Sequence, residues 1–133
     1  MSVFDTLRIA ASGLTAQRLR MDVAASNIAN AGSTRGPAGA PYAPERVVFA
    51  AAPVGGSPTP GVAAVALPAL DRTVRVYDPN HPDADPNGFV AYPDVDVAAE
   101  IADLIGAARS YSLNATVTAA AKQTALDALE IGR

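Results

Sequence analysis

Proline placement constrains this chain more than any other feature. All 11 prolines of its 133 residues fall between Pro37 and Pro93, and the stretches before and after that span contain none. A proline in a helix interior costs about 3 kcal/mol, so long uninterrupted helices are open only to the two ends. The chain divides accordingly into an N-terminal helical segment at 1–35, a Pro- and Gly-rich middle at 36–93, and a C-terminal helical segment at 94–133.

The first segment opens with Ser2-Val3-Phe4-Asp5, a start that resembles a capping box. Leu7, Leu14, Met21 and Ile28 recur every seventh residue, with Ala10, Ala24 and Ala31 at the alternate seam positions and Gln17 as the polar exception. A strict seven-residue repeat keeps one narrow face toward a partner helix. Small residues at Ala11, Ser12, Gly13, Ala16, Ala25, Ser26 and Ala29 let a neighbouring backbone come close. The helix is expected to end near Asn30-Ala31-Gly32, glycine being suited to a left-handed cap.

The last segment follows Pro93, with Asp94 or Asp96 as its cap. Val97, Ile101, Leu104, Ala108, Tyr111 and Ala115 run at alternating spacings of four and three. Ala119, Leu126 and Leu129 continue the apolar side, drifting around the axis, and Gly132 is a natural stop. Helices over 3–31 and 95–131 would measure about 43 and 55 Å at about 1.5 Å per residue. A compact domain of this size is only about 36 Å across. Such helices must project, and their narrow apolar faces call for burial against other subunits.

Between them, Glu45–Ala50, Val62–Leu67 and Thr73–Tyr77 read as short antiparallel strands, with Ala51–Gly61 as a turn or loop. The predicted fold is mainly α with a small β element: two long terminal helices packed as a coiled-coil-like pair, plus a central β-hairpin region.

Composition narrows the function. Half of the chain is hydrophobic but only 5% is aromatic, with no Trp. A core of Ala, Val and Leu buries little area per residue and gives the monomer weak means of standing alone. The formal charge is −3 and no basic cluster occurs, which argues against nucleic acid. The absence of Cys excludes disulfides, thiolate catalysis and Cys-ligated zinc. No signal-peptide pattern opens the chain and no run suits a membrane span. The ordinary reading is a soluble chain that leaves the cytoplasm only through a dedicated machine reading an uncleaved terminus.

The sharpest local pattern is Asp83-Ala84-Asp85-Pro86-Asn87-Gly88, with Val90 at the eighth and Asp94 at the twelfth position, the spacing of a calcium loop. Pro79 and Pro82 forbid the entering helix, and Asp94 is a short side chain for bidentate binding. An acidic turn is the plainer reading. His81, between Asn80 and Pro82, reads as an exposed turn residue, and Asp94, Asp96 and Glu100 as acids favoured at a helix start. No nucleophile–base pair or phosphate loop appears, so an enzyme ranks last. Asn27 and Asn114, inside apolar helices, are either exposed polar positions or seam residues that fix register.

Ser26-Asn27-Ile28-Ala29-Asn30, followed by Thr34 and Gly36, resembles the N-terminal signature of the axial proteins of the bacterial flagellum. Gly36-Pro37-Ala38-Gly39-Ala40-Pro41-Tyr42, leading into Val47-Val48-Phe49, looks more narrowly like a proximal rod protein. So does Pro86-Asn87-Gly88-Phe89-Val90-Ala91-Tyr92-Pro93-Asp94-Val95-Asp96-Val97, with Glu100, Ala108-Arg109-Ser110-Tyr111 and Asn114 beyond it. Phe89, Asp94 and Ile101 depart from the family's usual Tyr, Asn and Met.

The resemblance implies a structural subunit of the proximal rod that transmits torque from the membrane ring to the distal rod and hook. It implies helical self- and hetero-assembly, with the other rod subunits and the base of the rod as partners. Export would run through the flagellar type III apparatus, without a cleaved signal, to the periplasmic rod. The assembly interface is expected at Leu7, Leu14, Met21 and Ile28 as the apolar seam, with Val97, Ile101 and Leu104 on the second helix. Asn27, Asn30 and Asn114 would set register, Arg109 and Tyr111 would make contacts, and Ser26 belongs to the same interface. No catalytic residue, cofactor, metal ligand or small-molecule substrate is expected. The alternatives are another type III-exported helical axial protein and a small calcium-binding module.

Overall fold

The structure, a computed structural model, describes residues 2–36, 39–54, 59–69 and 72–131. Six elements follow in order: α1 (Val3–Ala29), β1 (Glu45–Pro53), β2 (Pro60–Pro68), β3 (Thr73–Tyr77), β4 (Phe89–Pro93) and α2 (Val97–Ile131). The expected stop at Gly132 lies outside the described residues, as does the part of the 51–61 loop at 55–58.

Helix α1 begins on a capping box. The Ser2 hydroxyl accepts from the Phe4 N–H at 3.3 Å, and the Asp5 carboxylate accepts from the Ser2 N–H at 2.9 Å. It closes two residues earlier than the sequence predicts, and without a glycine cap. Asn30 at φ −105° ends it, its side-chain amide donating to the Ser26 carbonyl at 2.9 Å. The Ser26 carbonyl also accepts the Asn30 backbone N–H at 3.1 Å, so backbone and side chain of Asn30 close the last turn on the same oxygen. Helix α2 starts at Val97, not residue 95, because Asp96 is the cap: its carboxylate accepts from the N–H groups of Ala98 at 3.0 Å and Ala99 at 3.2 Å.

The two helices lie antiparallel and close. Asn27 bonds to Glu100, and Gly13 faces Asn114, so a step of fourteen residues on one helix matches fourteen on the other. A Cβ on Gly13 would sit 3.0 Å from Asn114 Nδ2, so the missing side chain sets how near the axes come. With 35 residues in α2 against 27 in α1, that register carries the end of α2 past the start of α1, where residues 126–131 are exposed.

Strands β1 and β2 form one antiparallel hairpin, from Glu45↔Pro68 to Pro53↔Pro60. Pairing runs well into the 51–61 stretch read from sequence as a loop, because Ala51-Ala52-Pro53 and Pro60-Gly61 continue the ladder before the turn. The hairpin packs on α1, mainly through β2. Strand β4, missed in the sequence because its five residues carry a proline and follow a turn-rich run, pairs with β3 as a second antiparallel hairpin. Gly88 makes its turn at φ +80°, a left-handed position that also admits the Tyr77 ring.

The core is thin. Among the described residues the buried core side chains include Ala10, Ala16, Val23 and Ala24 of α1, Ala107 of α2 and Val90 of β4. Among the described residues no helix is long and apolar enough to cross a membrane.

Candidate assembly interface

On α2 the line of residues turned to α1 is small and polar. Leu104, Ala107, Asn114, Thr118, Ala121 and Ala125 are buried or half-buried. The larger apolar residues face away: Val97, Ile101, Ile105 and Tyr111 each keep 38–48% of their surface exposed. Of the 4-3 apolar pattern read from the sequence, Leu104 lies on the stripe that meets α1, whereas Val97, Ile101 and Tyr111 do not. Small side chains win that position because Ala and Gly let two backbones approach, and the bulkier face is left without an intrachain partner. Arg109 is exposed beside it. On α1, Leu7, Leu14, Met21 and Ile28 are half-buried, whereas the deepest positions are Ala10, Ala16, Val23, Ala24 and Asn27.

Asn27 is the one polar residue buried among those described, at 1% exposure. Its side-chain oxygen accepts from the Glu45 N–H at 3.0 Å and the Tyr42 hydroxyl at 3.0 Å. Its amide nitrogen donates to the Glu45 carbonyl at 2.9 Å and to Glu100 Oε1 at 3.1 Å. All four hydrogen-bonding positions are filled. The side chain pairs with Glu45 as a neighbouring strand would, and so ties α1, the first residue of β1 and α2 at one point. Ser26, next to it, lies 3.2 Å from the Tyr42 hydroxyl. Asn30 accepts from Ser33 as well as capping α1. Asn114 is half-buried and packs on Gly13 rather than bonding across the seam.

Three contacts were not legible in the sequence. Arg20 forms a two-point pair with Asp103 across the helices, Nε to Oδ2 at 2.8 Å and Nη2 to Oδ1. That hydrogen bond, then the carboxylate's charge, raises the Arg20 pKa against the opposing effect of partial burial. The Ser12 hydroxyl donates to Ile9 O and accepts the Val62 N–H at 3.0 Å, fastening β2 to α1. Beside it a Cβ on Gly61 would come within 2.4 Å of Val54 and 2.6 Å of Ser12, so the strand sits directly on the helix. Residues 83, 103 and 100 have no periodic signal that names such partners.

The acidic loop holds its carboxylates apart. Asp83 accepts from Thr34 at 2.7 Å and pairs with Arg35 at 2.5 Å. Asp85 accepts the Phe89 N–H at 2.9 Å and the Asn87 N–H at 2.8 Å, and pairs with Arg75. The Phe89 bond is the largest cause of its lowered pKa; desolvation opposes it, and the Asn87 bond and Arg75 lower it further. Each carboxylate is committed to its own donors, which is the arrangement of a turn. His81 Nδ1 accepts the Asp83 N–H at 3.1 Å and belongs to the same turn.

Comparison with known proteins places this architecture. Residues 7–37 match the family model for flagella basal body rod protein, and residues 87–131 match that for the flagellar basal body rod FlgEFG protein C-terminal. The flagellar basal-body rod protein FlgC of Yersinia enterocolitica is 42% identical over the full length of both chains. Its counterpart in Salmonella typhimurium is 40% identical, and that of Bacillus subtilis 36%, again over both full lengths. The resemblance read from Ser26–Asn30 and residues 86–97 thus extends along the whole sequence, and the chain belongs to the FlgC family of flagellar basal-body rod proteins.

Proposed function

We propose that this chain is a structural subunit of the proximal rod, carrying torque between the membrane ring and the distal rod through helical packing against other rod subunits. The observation that carries the reading is the apolar face of α2, Val97, Ile101, Ile105 and Tyr111, which the α1–α2 pair leaves uncovered. Fully burying one such side chain is worth about 1.5–3 kcal/mol. Covering the exposed part of four of them on assembly contributes a few kcal/mol, a large amount beside a core this thin.

The division of labour follows from position. Asn27 and Asn30 hold the subunit's own shape, so that the outer face of α2 is presented in one register. Leu7, Leu14, Met21 and Ile28, half-buried on α1, and the exposed Arg109 take part in contacts between subunits, while Asn114 stays in the seam against Gly13. Partners are other rod subunits and the base of the rod, reached after export by the flagellar type III apparatus to the periplasmic rod. The thin, Cys-free core suits a chain that is threaded unfolded and gains order on assembly.

The test is quantitative mass spectrometry of purified basal bodies beside electron microscopy of a deletion strain. A few copies per basal body, and arrested rods in the deletion strain, are expected. Complete rods without the protein would overturn the proposal.

A further inference from the structure

Each hairpin has one strand edge that the fold leaves unpaired, and the two edges fit each other. In the β1–β2 ladder, Ala69 N donates to Pro44 O at 2.7 Å, one step beyond the Glu45↔Pro68 pair. Arg46, Val48, Ala50 and Ala52 therefore direct their backbone groups at β2, and Glu45, Val47, Phe49 and Ala51 turn theirs outward. The contacts of Glu45 N and O with Asn27 agree with this alternation. On the β2 side, Ser12 takes the outward Val62 N–H and α1 lies along the strand. On the β1 side, Asn27 covers Glu45 and nothing among the described residues bonds the outward groups of Val47, Phe49 and Ala51. A groove of about 550 Å³ opens beside them, with Val47, Phe49, Val23 and Ala24 on its apolar side and charged groups, the Arg20–Asp103 pair among them, on the rest of its wall.

The second hairpin follows the same logic. Asp94 N donates to Arg72 O at 3.0 Å and Asp78 N to Gly88 O at 2.9 Å, at the two ends of the β3–β4 ladder. Thr73, Arg75 and Tyr77 thus turn their backbone groups away from β4. All five residues of β3 are exposed. Unpaired edges of this kind are templates for another strand.

We infer that the β1 edge of one copy receives the β3 edge of a second copy as an antiparallel strand, with Phe49 opposite Arg75. This rests on the rod-subunit reading. The register brings the outward groups of Val47, Phe49 and Ala51 opposite those of Tyr77, Arg75 and Thr73. On one face of the joint sheet it sets Arg46 against Asp78, Val48 against Val76 and Ala50 against Val74. Arg46 and Asp78 each lack an ion pair among the described residues. Val48, Val74 and Val76 are 45–50% exposed. On the other face Arg75 meets Phe49, the kind of contact it already makes with Phe89 at 5.2 Å. Sliding by two residues either way preserves the hydrogen-bond alternation but removes Asp78 from Arg46. The contact is heterologous: every copy gives one edge and receives at the other, so it propagates instead of closing a pair.

The Cys-free sequence allows a direct test. Val48 and Val76 would form a non-hydrogen-bonded pair, with Cα atoms about 4.5 Å apart, inside the range a disulfide spans. Full-length Val48→Cys is mixed with Val76→Cys at high concentration and oxidised mildly. The 48–76 product is expected to exceed that of the shifted Val48→Cys and Val74→Cys mixture by about tenfold. In a second series, Arg46→Asp or Asp78→Arg, added to the Cys-bearing copies, lowers the yield, and the two together restore it. Equal yields from the matched and shifted mixtures, or no recovery on charge reversal, would overturn the pairing. Incorporation of the same variants into basal bodies is scored separately. Incorporation without the 48–76 product rejects the edge pairing and leaves the rod reading standing; the product without incorporation does the reverse.

Discussion

Removing the Asn27 amide would take a partner from four groups at once: the N–H and carbonyl of Glu45, one oxygen of Glu100 and the Tyr42 hydroxyl, which keeps Ser26 at 3.2 Å. An unsatisfied buried polar group costs about 1–3 kcal/mol, and water can reach Glu100 and Tyr42, which are half-buried. Asn27→Leu is therefore expected to cost about 3 kcal/mol by denaturant titration of the purified chain. Asn114→Leu, which removes no bonded partner, should cost less than half of that. Equal losses would mean that the two positions work alike and that the hydrogen bonds at Asn27 carry no special weight. The sequence flagged both residues for the same reason, an Asn inside an apolar helix. It could not separate them, because the difference lies in Tyr42, Glu45 and Glu100, which reach Asn27 only through the folded chain. At Gly61 the constraint is steric instead. A Cβ there would overlap Val54 and Ser12, so Gly61→Ala should destabilise by about 1–3 kcal/mol, whereas Ser12→Ala, losing one hydrogen bond, should cost about 1 kcal/mol.

At the level of elements, the helices were legible because proline exclusion, caps and periodicity act over many residues. Their ends were legible to within two residues, Asp96 and Asn30 resolving what several candidate caps left open. Strand β4 and the tail of β1 were not, since Pro53, Pro60 and Pro93 sit at strand ends where a missing N–H does no harm. The seven-residue repeat identified apolar faces on both helices but not which face meets which; that choice falls to Gly13 and the alanines, whose weak hydropathy hides their packing role. The β3–β4 turn has its own pH signature. Hydrogen bonds from Phe89 and Asn87, with Arg75, hold the Asp85 pKa below its ordinary value. A depressed carboxylate stabilises the folded turn above its unfolded pKa of about 3.9, and the contribution is lost as pH falls through the folded value. Protection of the Asn87 and Phe89 amides, measured against their intrinsic exchange rates, should fall as pH drops below about 3.9. Both N–H groups bond to the same oxygen, Oδ1. Asp85→Asn keeps an acceptor there, so its protection should persist through the acid range, while Asp85→Ala should leave both amides unprotected at every pH.

For the molecule as a whole, stability and assembly depend on different surfaces. Intrachain packing uses the small-residue seam, the Asn27 node and the Arg20–Asp103 pair, the last being half-exposed and worth about 1 kcal/mol. The outer face of α2 adds less to the isolated chain than the seam does, because its side chains keep 38–48% of their surface open to water after folding. Substitutions there should accordingly split the two properties. Ile101→Glu and Ile105→Glu are expected to change the unfolding free energy of the monomer by no more than about 0.5 kcal/mol. In cells the same variants should be exported yet fail to enter basal bodies, since each buries a charge in the subunit contact at a cost of several kcal/mol. Ala107→Glu supplies the opposite case: Ala107 is fully buried between the helices, so this change should unfold the monomer itself. Measured together by denaturation and by mass spectrometry of basal bodies, the three variants decide whether the uncovered stripe of α2 is an interface. Incorporation of the Ile101→Glu and Ile105→Glu proteins at normal copy number would mean that the stripe faces solvent in the rod, and that the subunit is held by its other surfaces.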